Sequence, residues 1–270
     1  MREKAPDYGN WISGKTIVQL ILLAVLSVIF CALSFSPFSF FETWNPGLLW
    51  TVRILLSGVA VVMLARLIRM VRVRWLFSYT GGGISGRILN YVLSYLAWDG
   101  KGSLLDVGCG SGALSIKAAK KYPAAKITGV DFWEPSWAYT REQCEENAVI
   151  EGVRERIVFQ KEDAAAMSFA DGAFDAAVSN FVFHEVKSQP DKRLVVKEAL
   201  RVVKPGGTFV FQDLFYNREL YGDPADFVEE VKRYGVSEIE IVKSVRAEFL
   251  PRLVKAHARM KDMGLIYGKK

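Results

Sequence analysis

The stretch that decides the fold reads LLDVGCGSG at residues 104–112 and continues as ALSIKAAKK at 113–121. An apolar run that ends in glycines and leads into a helical pattern is typical of a strand, a tight turn and a helix in an α/β sheet. Gly108, Gly110 and Gly112 have no Cβ atoms, so a bulky ligand can lie directly against the main chain. This stretch therefore predicts a strand, turn and helix that bind a ligand at the turn.

A dinucleotide site is the first alternative, because the same glycines followed by Ala113 also satisfy GxGxxA. That pattern alone is weak evidence. The next predicted strand, KITGVD at 126–131, ends on Asp131. An acid at this place binds ribose hydroxyls in several nucleotide folds. Asp131 therefore indicates a nucleoside ligand without choosing between the two classes.

The following strands carry further signals at their carboxyl ends. A third strand within RIVFQKEDA at 156–164 is followed by Asp163, whose carboxylate could accept a bond from an adenine amino group. A fourth strand is predicted at 174–180, and KPGG at 204–207 predicts a tight turn before a fifth strand from Thr208. Acids after the first three strands would lie at one edge of a parallel sheet.

This order of motifs resembles the class I S-adenosylmethionine-dependent methyltransferases, whose first motif reads hhDhGxGxG, across roughly residues 85–270. The resemblance implies an α/β fold with a seven-stranded, Rossmann-like and mostly parallel sheet, its last strand reversed and helices on both faces. It also implies S-adenosylmethionine as cofactor. Two late strands at 237–242 and 264–268, joined by a helix predicted at 245–261, suit that sheet. A dehydrogenase usually needs a further substrate domain, for which the chain leaves no residues.

The resemblance also implies roles for individual residues. Asp106 would meet the methionine amino group, and the three glycines would allow close backbone approach. The ribose and adenine would lie near the second and third strand ends, and Asn180 would face the methyl-transfer zone. The cofactor-binding residues expected are Asp106, Gly108, Gly110, Gly112, Asp131, Phe132, Asp163, Ala164 and Asn180.

A candidate catalytic base follows the fourth strand. FHEV at 183–186 lies where open α/β sheets place substrates, and His184 could remove a proton from a hydroxyl or enol. Alternatively, His184 or Glu185 caps the next helix or bonds locally. The segment after the strand reads NFVF at 180–183. It does not match the N/D-P-P-Y of relatives that methylate amino groups of nucleic acids and proteins. The three cysteines show no metal-binding spacing, so no metal is expected.

Two apolar runs precede the predicted sheet. Residues 17–35 carry no charge, and residues 48–65 carry one, Arg53, near their first end. Each approaches the ~20 residues that cross a hydrocarbon core, and Arg53 can extend toward the near interface. We predict transmembrane helices at about 16–35 and 48–68. A buried hairpin is disfavoured because neither run has a polar face, and a cleaved signal peptide because a second run follows.

Flanking charges predict the orientation of this hairpin. The connector 36–47 contains no Lys or Arg, whereas the outer flanks carry Arg2, Lys4, Lys15, Arg66, Arg69, Arg72 and Arg74. The positive-inside rule then places both termini and the catalytic domain in the cytoplasm of an integral membrane protein. Residues 1–75 hold eight basic and three acidic residues, and the rest is nearly balanced. The basic excess therefore fits anionic lipid headgroups, and no nucleic-acid partner is expected.

The predicted organisation is a membrane anchor at 1–77, a linker at 78–86 and a methyltransferase domain at 87–270. Apolar residues at helical spacing within 84–96 predict a helix packed on the sheet. The resemblance adds that this helix can cover cofactor and substrate, with Tyr79, Tyr91 and Tyr95 as candidates for its rim. The most consistent function is methyl transfer to a small, lipid-soluble or membrane-associated acceptor. An NAD(P)-binding protein and a non-catalytic S-adenosylmethionine sensor or scaffold remain open alternatives.

Overall fold

The computed structural model describes residues 5–36, 43–79, 81–134, 139–255 and 260–270. The chain divides into two compact units. One is a helical unit, residues 10–83. The other, the sheet unit, combines residues 84–270 with the N-terminal residues up to Gly9.

The helical unit contains two helices, α1 (Gly14–Ser34) and α2 (Pro46–Phe77). Ser13 caps the first by accepting a hydrogen bond from Lys15 N, and Asn45 caps the second. Both helices are long and apolar enough to cross a membrane, and 6% of the most apolar window of each is buried. With ~1.5 Å rise per residue, α2 is about 48 Å long and exceeds a hydrocarbon core of about 30 Å. It therefore continues beyond the predicted span.

The one charge inside the second apolar run has partners within the helical unit. Arg53 Nε donates a hydrogen bond to the Ser34 carbonyl oxygen at 2.9 Å. Its guanidinium carbon lies 4.8 Å from the ring centroid of Phe35 and 5.3 Å from that of Trp50. A guanidinium with a carbonyl and two aromatic faces as neighbours is well accommodated beside apolar helices. Arg53 is thus compatible with the apolar character of α2.

The sheet unit is a seven-stranded mixed sheet with strand order β3-β2-β1-β4-β5-β7-β6. The last strand, β7, is antiparallel to both of its neighbours, and the other pairs are parallel. This confirms the predicted Rossmann-like sheet with one reversed strand. Its strands are β1 (Gly102–Val107), β2 (Ala125–Asp131), β3 (Ile157–Lys161), β4 (Phe174–Asn180), β5 (Val203–Asp213), β6 (Glu238–Val242) and β7 (Gly264–Lys269).

Helices connect these strands. The predicted helix before the sheet is present as α3 (Ile84–Ser94), which packs against α4 (Ala113–Lys121), β4 and β5. The glycine-rich turn at 108–112 lies between the end of β1 at Val107 and the start of the next helix at Ala113. The helices are α3 (Ile84–Ser94), α4 (Ala113–Lys121), α5 (Arg141–Ile150), α6 (Lys192–Arg201), α7 (Arg218–Tyr221), α8 (Pro224–Lys232) and α9 (Arg252–Lys255).

Two local predictions differ from the structure. The helix predicted at 245–261 is wrong, since the described part contains a 3-10 turn at Ser244–Arg246 and the short α9. Proline disfavours helical geometry in the residue before it, so Pro251 begins a new helix instead of continuing one. The fifth strand begins at Val203 rather than Thr208. Its KPGG segment forms an irregularity in the pairing of β5 with β4.

Residues 5–9 lie in the predicted anchor segment but pack with the sheet unit. Asp7 N donates to Asn147 Oδ1 at 2.8 Å, and Asn147 Nδ2 returns a bond to the Asp7 carbonyl at 2.7 Å. Ser111 Oγ, in the glycine-rich turn, donates to the Tyr8 carbonyl at 3.0 Å. The N-terminal segment is therefore fastened to α5 and to the turn by long-range contacts that no local pattern indicates.

Candidate functional site

The glycine-rich turn lies at the carboxyl end of β1, between β2 and β4. Gly108, Gly110 and Gly112 have φ values of +72°, +56° and +81°. These lie in the left-handed region, which residues with a Cβ enter at a cost of about 1–2 kcal/mol. The backbone conformation alone therefore favours glycine at all three positions.

The space beside the three glycines differs. A Cβ on Gly108 would lie 2.2 Å from Val182 Cγ2, and one on Gly112 would lie 3.0 Å from Phe159 Cζ. Among the described residues, a Cβ on Gly110 would meet no atom closer than Tyr139 Cδ2 at 3.8 Å. Packing of the protein itself thus fills the space at Gly108 and Gly112. Room for a ligand against the main chain is found at Gly110.

Asp106 lies beneath this turn. Its side chain is 1% exposed, and Ser115 Oγ donates to Asp106 Oδ2 at 2.5 Å. Burial raises the pKa of Asp106 to about 7, and the charge of Asp131 adds to the rise, although hydrogen bonds from Ser115 oppose it. Asp106 is therefore a carboxyl group that titrates near neutrality. Sequence reasoning missed Ser115, which lies in the first turn of α4.

Asp131 joins the end of β2 to the glycine-rich turn. Its Oδ2 accepts a hydrogen bond from Gly110 N at 2.9 Å, and its Oδ1 accepts one from Trp133 N at 2.8 Å. The Trp133 indole in turn donates to the Gly110 carbonyl at 3.0 Å. Two carboxylate oxygens offer about four lone-pair sites, so acceptor capacity remains for ligand hydroxyls.

Phe132 and the third strand end flank this carboxylate. The Phe132 ring is 48% exposed, and Lys161 Nζ lies 4.7 Å from its centroid. Asp163 Oδ1 accepts from Ala165 N and from Ser188 Oγ, both at 2.9 Å. Because β2 and β3 are parallel neighbours, the structure brings these groups to the same sheet edge as Asp131. Ala164 is buried just after β3.

Two residues with amide side chains are register partners at the ends of the central strands β4 and β5. Asn180 of β4 pairs in register with Gln212 of β5, which is 1% exposed. Gln212 Nε2 donates to Ser244 Oγ at 3.0 Å. Asn180 Oδ1 and Gln212 Oε1 are buried and have no hydrogen-bond partner within the described residues. Buried polar atoms are normally paired, so these oxygens are suited to a donor from a ligand.

His184 is held by a buried acid. Asp213, the last residue of β5, is 0% exposed, and its Oδ1 lies 2.8 Å from His184 Nδ1. His184 Nε2 lies 3.3 Å from Glu185 Oε1. Burial lowers the pKa of His184, but the charges and hydrogen bonds of Asp213 and Glu185 outweigh this and raise it to about 9. His184 is therefore an imidazolium at neutral pH. Sequence reasoning proposed His184 but missed Asp213, an acid that ends its strand as Asp131 does.

The site collects residues of the type expected from the sequence. Asp106, Gly110, Asp131, Asp163, Asn180 and His184 all come from the carboxyl ends of strands or the loops that follow them. Within the described ranges, no group of three or more His, Cys, Asp and Glu side chains could hold a metal ion. An open main chain at Gly110, a carboxylate beside it and unpaired amide oxygens can bind a nucleoside-like cofactor and a second small molecule.

Comparison with known proteins bears on this arrangement. Residues 105–211 match the family model described as a methyltransferase domain. The chain is 36% identical over 166 residues to an arsenite methyltransferase of Aquipseudomonas alcaligenes, covering 52% of this chain and 45% of that protein. It is 33% identical over 107 residues to a demethylmenaquinone methyltransferase of Thermus thermophilus, covering 40% and 44%. The chain thus spans about half the length of these relatives.

A solved structure shows the same fold. The geranyl diphosphate C-methyltransferase of Streptomyces coelicolor superposes with a TM-score of 0.50 and 13% identity. The superposition covers 68% of this chain and 80% of that one. At this identity the likeness concerns the fold of the sheet unit alone.

Proposed function

We propose that this chain transfers a methyl group from S-adenosylmethionine to a small acceptor, in line with the match of residues 105–211 to a methyltransferase domain. One observation carries the proposal. No described residue crowds the main chain at Gly110, which lies directly beside the Asp131 carboxylate and donates a hydrogen bond from its N–H to that carboxylate. A nucleoside can approach the backbone there and find its hydroxyl acceptor at the same point.

The residues around this opening fit the cofactor. Asp131 would hold the ribose hydroxyls, the exposed Phe132 ring would pack on the adenine, and Asp163 with Ala164 would meet its edge. Asp106 would face the methionine amino group from below. Gly108 and Gly112 would shape the turn through packing rather than touch the ligand. When bound, S-adenosylmethionine supplies a methyl group activated by a sulfonium, so the protein mainly provides alignment and a dry pocket.

Proton removal from the acceptor is assigned to His184. Asp213 holds Nδ1, and Glu185 Oε1 lies 3.3 Å from Nε2. In the neutral imidazole, Nε2 would accept a proton from an acceptor hydroxyl or enol that takes the place of Glu185 beside it. Asn180 and Gln212 would orient that acceptor through their unpaired oxygens. Because the pKa of His184 is about 9, only a minor fraction of the imidazole is neutral at pH 7. The proposed chemistry is therefore favoured by alkaline pH.

Calorimetry on the full chain in nanodiscs tests the cofactor assignment. S-adenosylmethionine and its demethylated product should both bind, because Gly110 and Asp131 offer the backbone opening and the hydroxyl acceptor that a nucleoside needs. NAD should give no heat. Heat with NAD and none with S-adenosylmethionine would overturn the proposal in favour of a dinucleotide-binding protein.

A transfer assay on the same sample separates an enzyme from a sensor. Membranes supplied with methyl-labelled S-adenosylmethionine should yield a labelled, extractable product whose mass identifies the acceptor. Protein that binds the cofactor but labels nothing in a whole-membrane extract would instead act as a binding-only sensor or scaffold.

We further propose that the acceptor is lipid-soluble and that the chain is an integral membrane protein. Support comes from the exposed apolar surfaces of α1 and α2 and from their length. A relative named demethylmenaquinone methyltransferase is consistent with such an acceptor. The basic flanks of the two helices favour a cytoplasmic location for both termini and for the methyltransferase domain. An enzyme held at the membrane meets lipid-soluble acceptors at high local concentration.

Cysteine labelling in sealed cells tests this topology, starting from a Cys31→Ser variant. Cys109 and Cys144 are buried, so they give a low background. A cysteine at Thr43, in the connector, should react with an impermeant reagent from outside. A cysteine at the exposed Lys101 should react only after the membrane is opened. Labelling at Lys101 in sealed cells would place the domain outside and contradict the proposed location.

A further inference from the structure

A cavity of about 440 Å³ opens beside the end of β6. Its walls include Tyr91 of α3, Tyr216 in the loop after β5, and residues of the segment 241–248. Cavities that take small ligands commonly have volumes of about 300–1,000 Å³. The cavity is therefore large enough for a small organic molecule.

The cavity lies at the same edge of the sheet as the candidate site. Leu265 of β7 pairs with Gln212 of β5 on one side and with Val242 of β6 on the other. Gln212, which has an unpaired buried oxygen, donates to Ser244, and Ser244 is itself buried within the segment that lines the cavity. The cavity wall is thus bonded directly to a strand that carries the site.

The charge of the cavity comes from that segment. Lys243 and Arg246 both line it, and neither forms an ion pair with a described residue. The acid in the lining is Glu248. Lys243 Nζ lies 4.9 Å from the centroid of the Tyr216 ring. Two cations that form no ion pair with a described carboxylate, beside aromatic side chains, are suited to an anion carried on an apolar body.

Tyr91 also lines the cavity. Its ring centroid lies 5.0 Å from that of Tyr95 and 5.6 Å from that of Phe249. These neighbours hold the Tyr91 ring in place as a flat surface. Of the three tyrosines expected at the rim, Tyr91 lines the cavity and Tyr95 supports it, whereas Tyr79 belongs to the helical unit.

We propose that this cavity binds the anionic end of the methyl acceptor, a carboxylate or a phosphate held by Lys243 and Arg246. The adjoining apolar or aromatic part of the acceptor packs on Tyr91 and Tyr216. The guanidinium of Arg246 supplies a planar pair of donors for two anionic oxygens, and the ammonium of Lys243 supplies a point charge. As an acceptor site, the cavity rests on the proposed methyltransferase function; as an anion site, it stands on these contacts alone.

Saturation-transfer NMR tests the site with three probes that share one aromatic body. These are benzyl phosphate, benzoate and neutral benzyl alcohol, each added to the full chain in phosphatidylcholine nanodiscs. One or both anions should bind, and benzyl alcohol should bind at least about 10-fold more weakly, as expected for loss of one charge-assisted bond. A preference for benzyl phosphate or for benzoate tells which anionic group the acceptor carries.

The double variant Lys243→Gln, Arg246→Gln should weaken the binding of benzyl phosphate and benzoate by a similar or larger factor. The matched control is Arg233→Gln, which removes an exposed cation that does not line the cavity and should leave binding unchanged. Equal binding of benzyl alcohol, no binding of either anion, or full binding by the double variant would overturn the proposal.

Calorimetry with S-adenosylmethionine on the same samples separates the two hypotheses. The double variant should keep the cofactor affinity of the parent chain. Anion binding without cofactor binding would overturn the proposed methyltransferase function but support the anion site. Cofactor binding without anion binding would remove the anion site alone.

Discussion

Asp131→Ala should weaken S-adenosylmethionine binding by at least about 10-fold, the equivalent of one or two charge-assisted hydrogen bonds worth about 1.5–3 kcal/mol each. The loss has two sources. The carboxylate that would receive the ribose hydroxyls disappears, and Gly110 N and Trp133 N lose their acceptor. Calorimetry on the full chain in nanodiscs measures the change.

Asp131→Asn is the matched control, because it keeps one acceptor oxygen for the turn while removing the charge. Its affinity should lie between those of the parent chain and of Asp131→Ala. Thermal unfolding of each variant shows whether the sheet unit remains folded. An unchanged affinity in a folded Asp131→Ala protein would remove Asp131 from the cofactor site.

His184→Gln should lower the rate of methyl transfer by about 10²–10⁴-fold, the usual contribution of a positioned general base. The base must be neutral, and the pKa of His184 is about 9. The rate of the parent enzyme should therefore rise with pH and level off near pH 9. Asp213→Asn should move this rise to lower pH, because the main group that raises the pKa is then uncharged.

The His184–Asp213 pair also contributes to the stability of the fold, and this contribution depends on pH in the opposite sense to the rate. The pKa of His184 is higher in the folded protein, about 9, than its ordinary value of 6.5. Its contribution to the free energy of unfolding is therefore complete below pH 6.5 and is lost as the pH rises through about 9.

A rate of methyl transfer that does not change between pH 6 and 9, or full activity in His184→Gln, would exclude His184 as the base.

Local patterns predicted much of this structure well. The glycine spacing in LLDVGCGSG, the acids after β2 and β3, and the two apolar runs are each contained in a short stretch of sequence. Strands and tight turns are encoded at that range, so the order of elements and the sheet class followed from the sequence. The helix predicted at 245–261 is wrong because Pro251 lies inside it, and proline disfavours helical geometry in the residue before it.

By itself, the sequence determined which backbone positions need glycine, near which residues the strands end and where the two apolar helices lie. The tertiary structure alone decided which glycine has open space beside it, since the neighbours Val182 and Phe159 come from distant strands and loops. It also decided that Asp213 holds His184 and that Gln212 meets Ser244. These contacts join residues far apart in the chain. Their distances and burial, which set the pKa values and leave amide oxygens unpaired, arise when the sheet assembles.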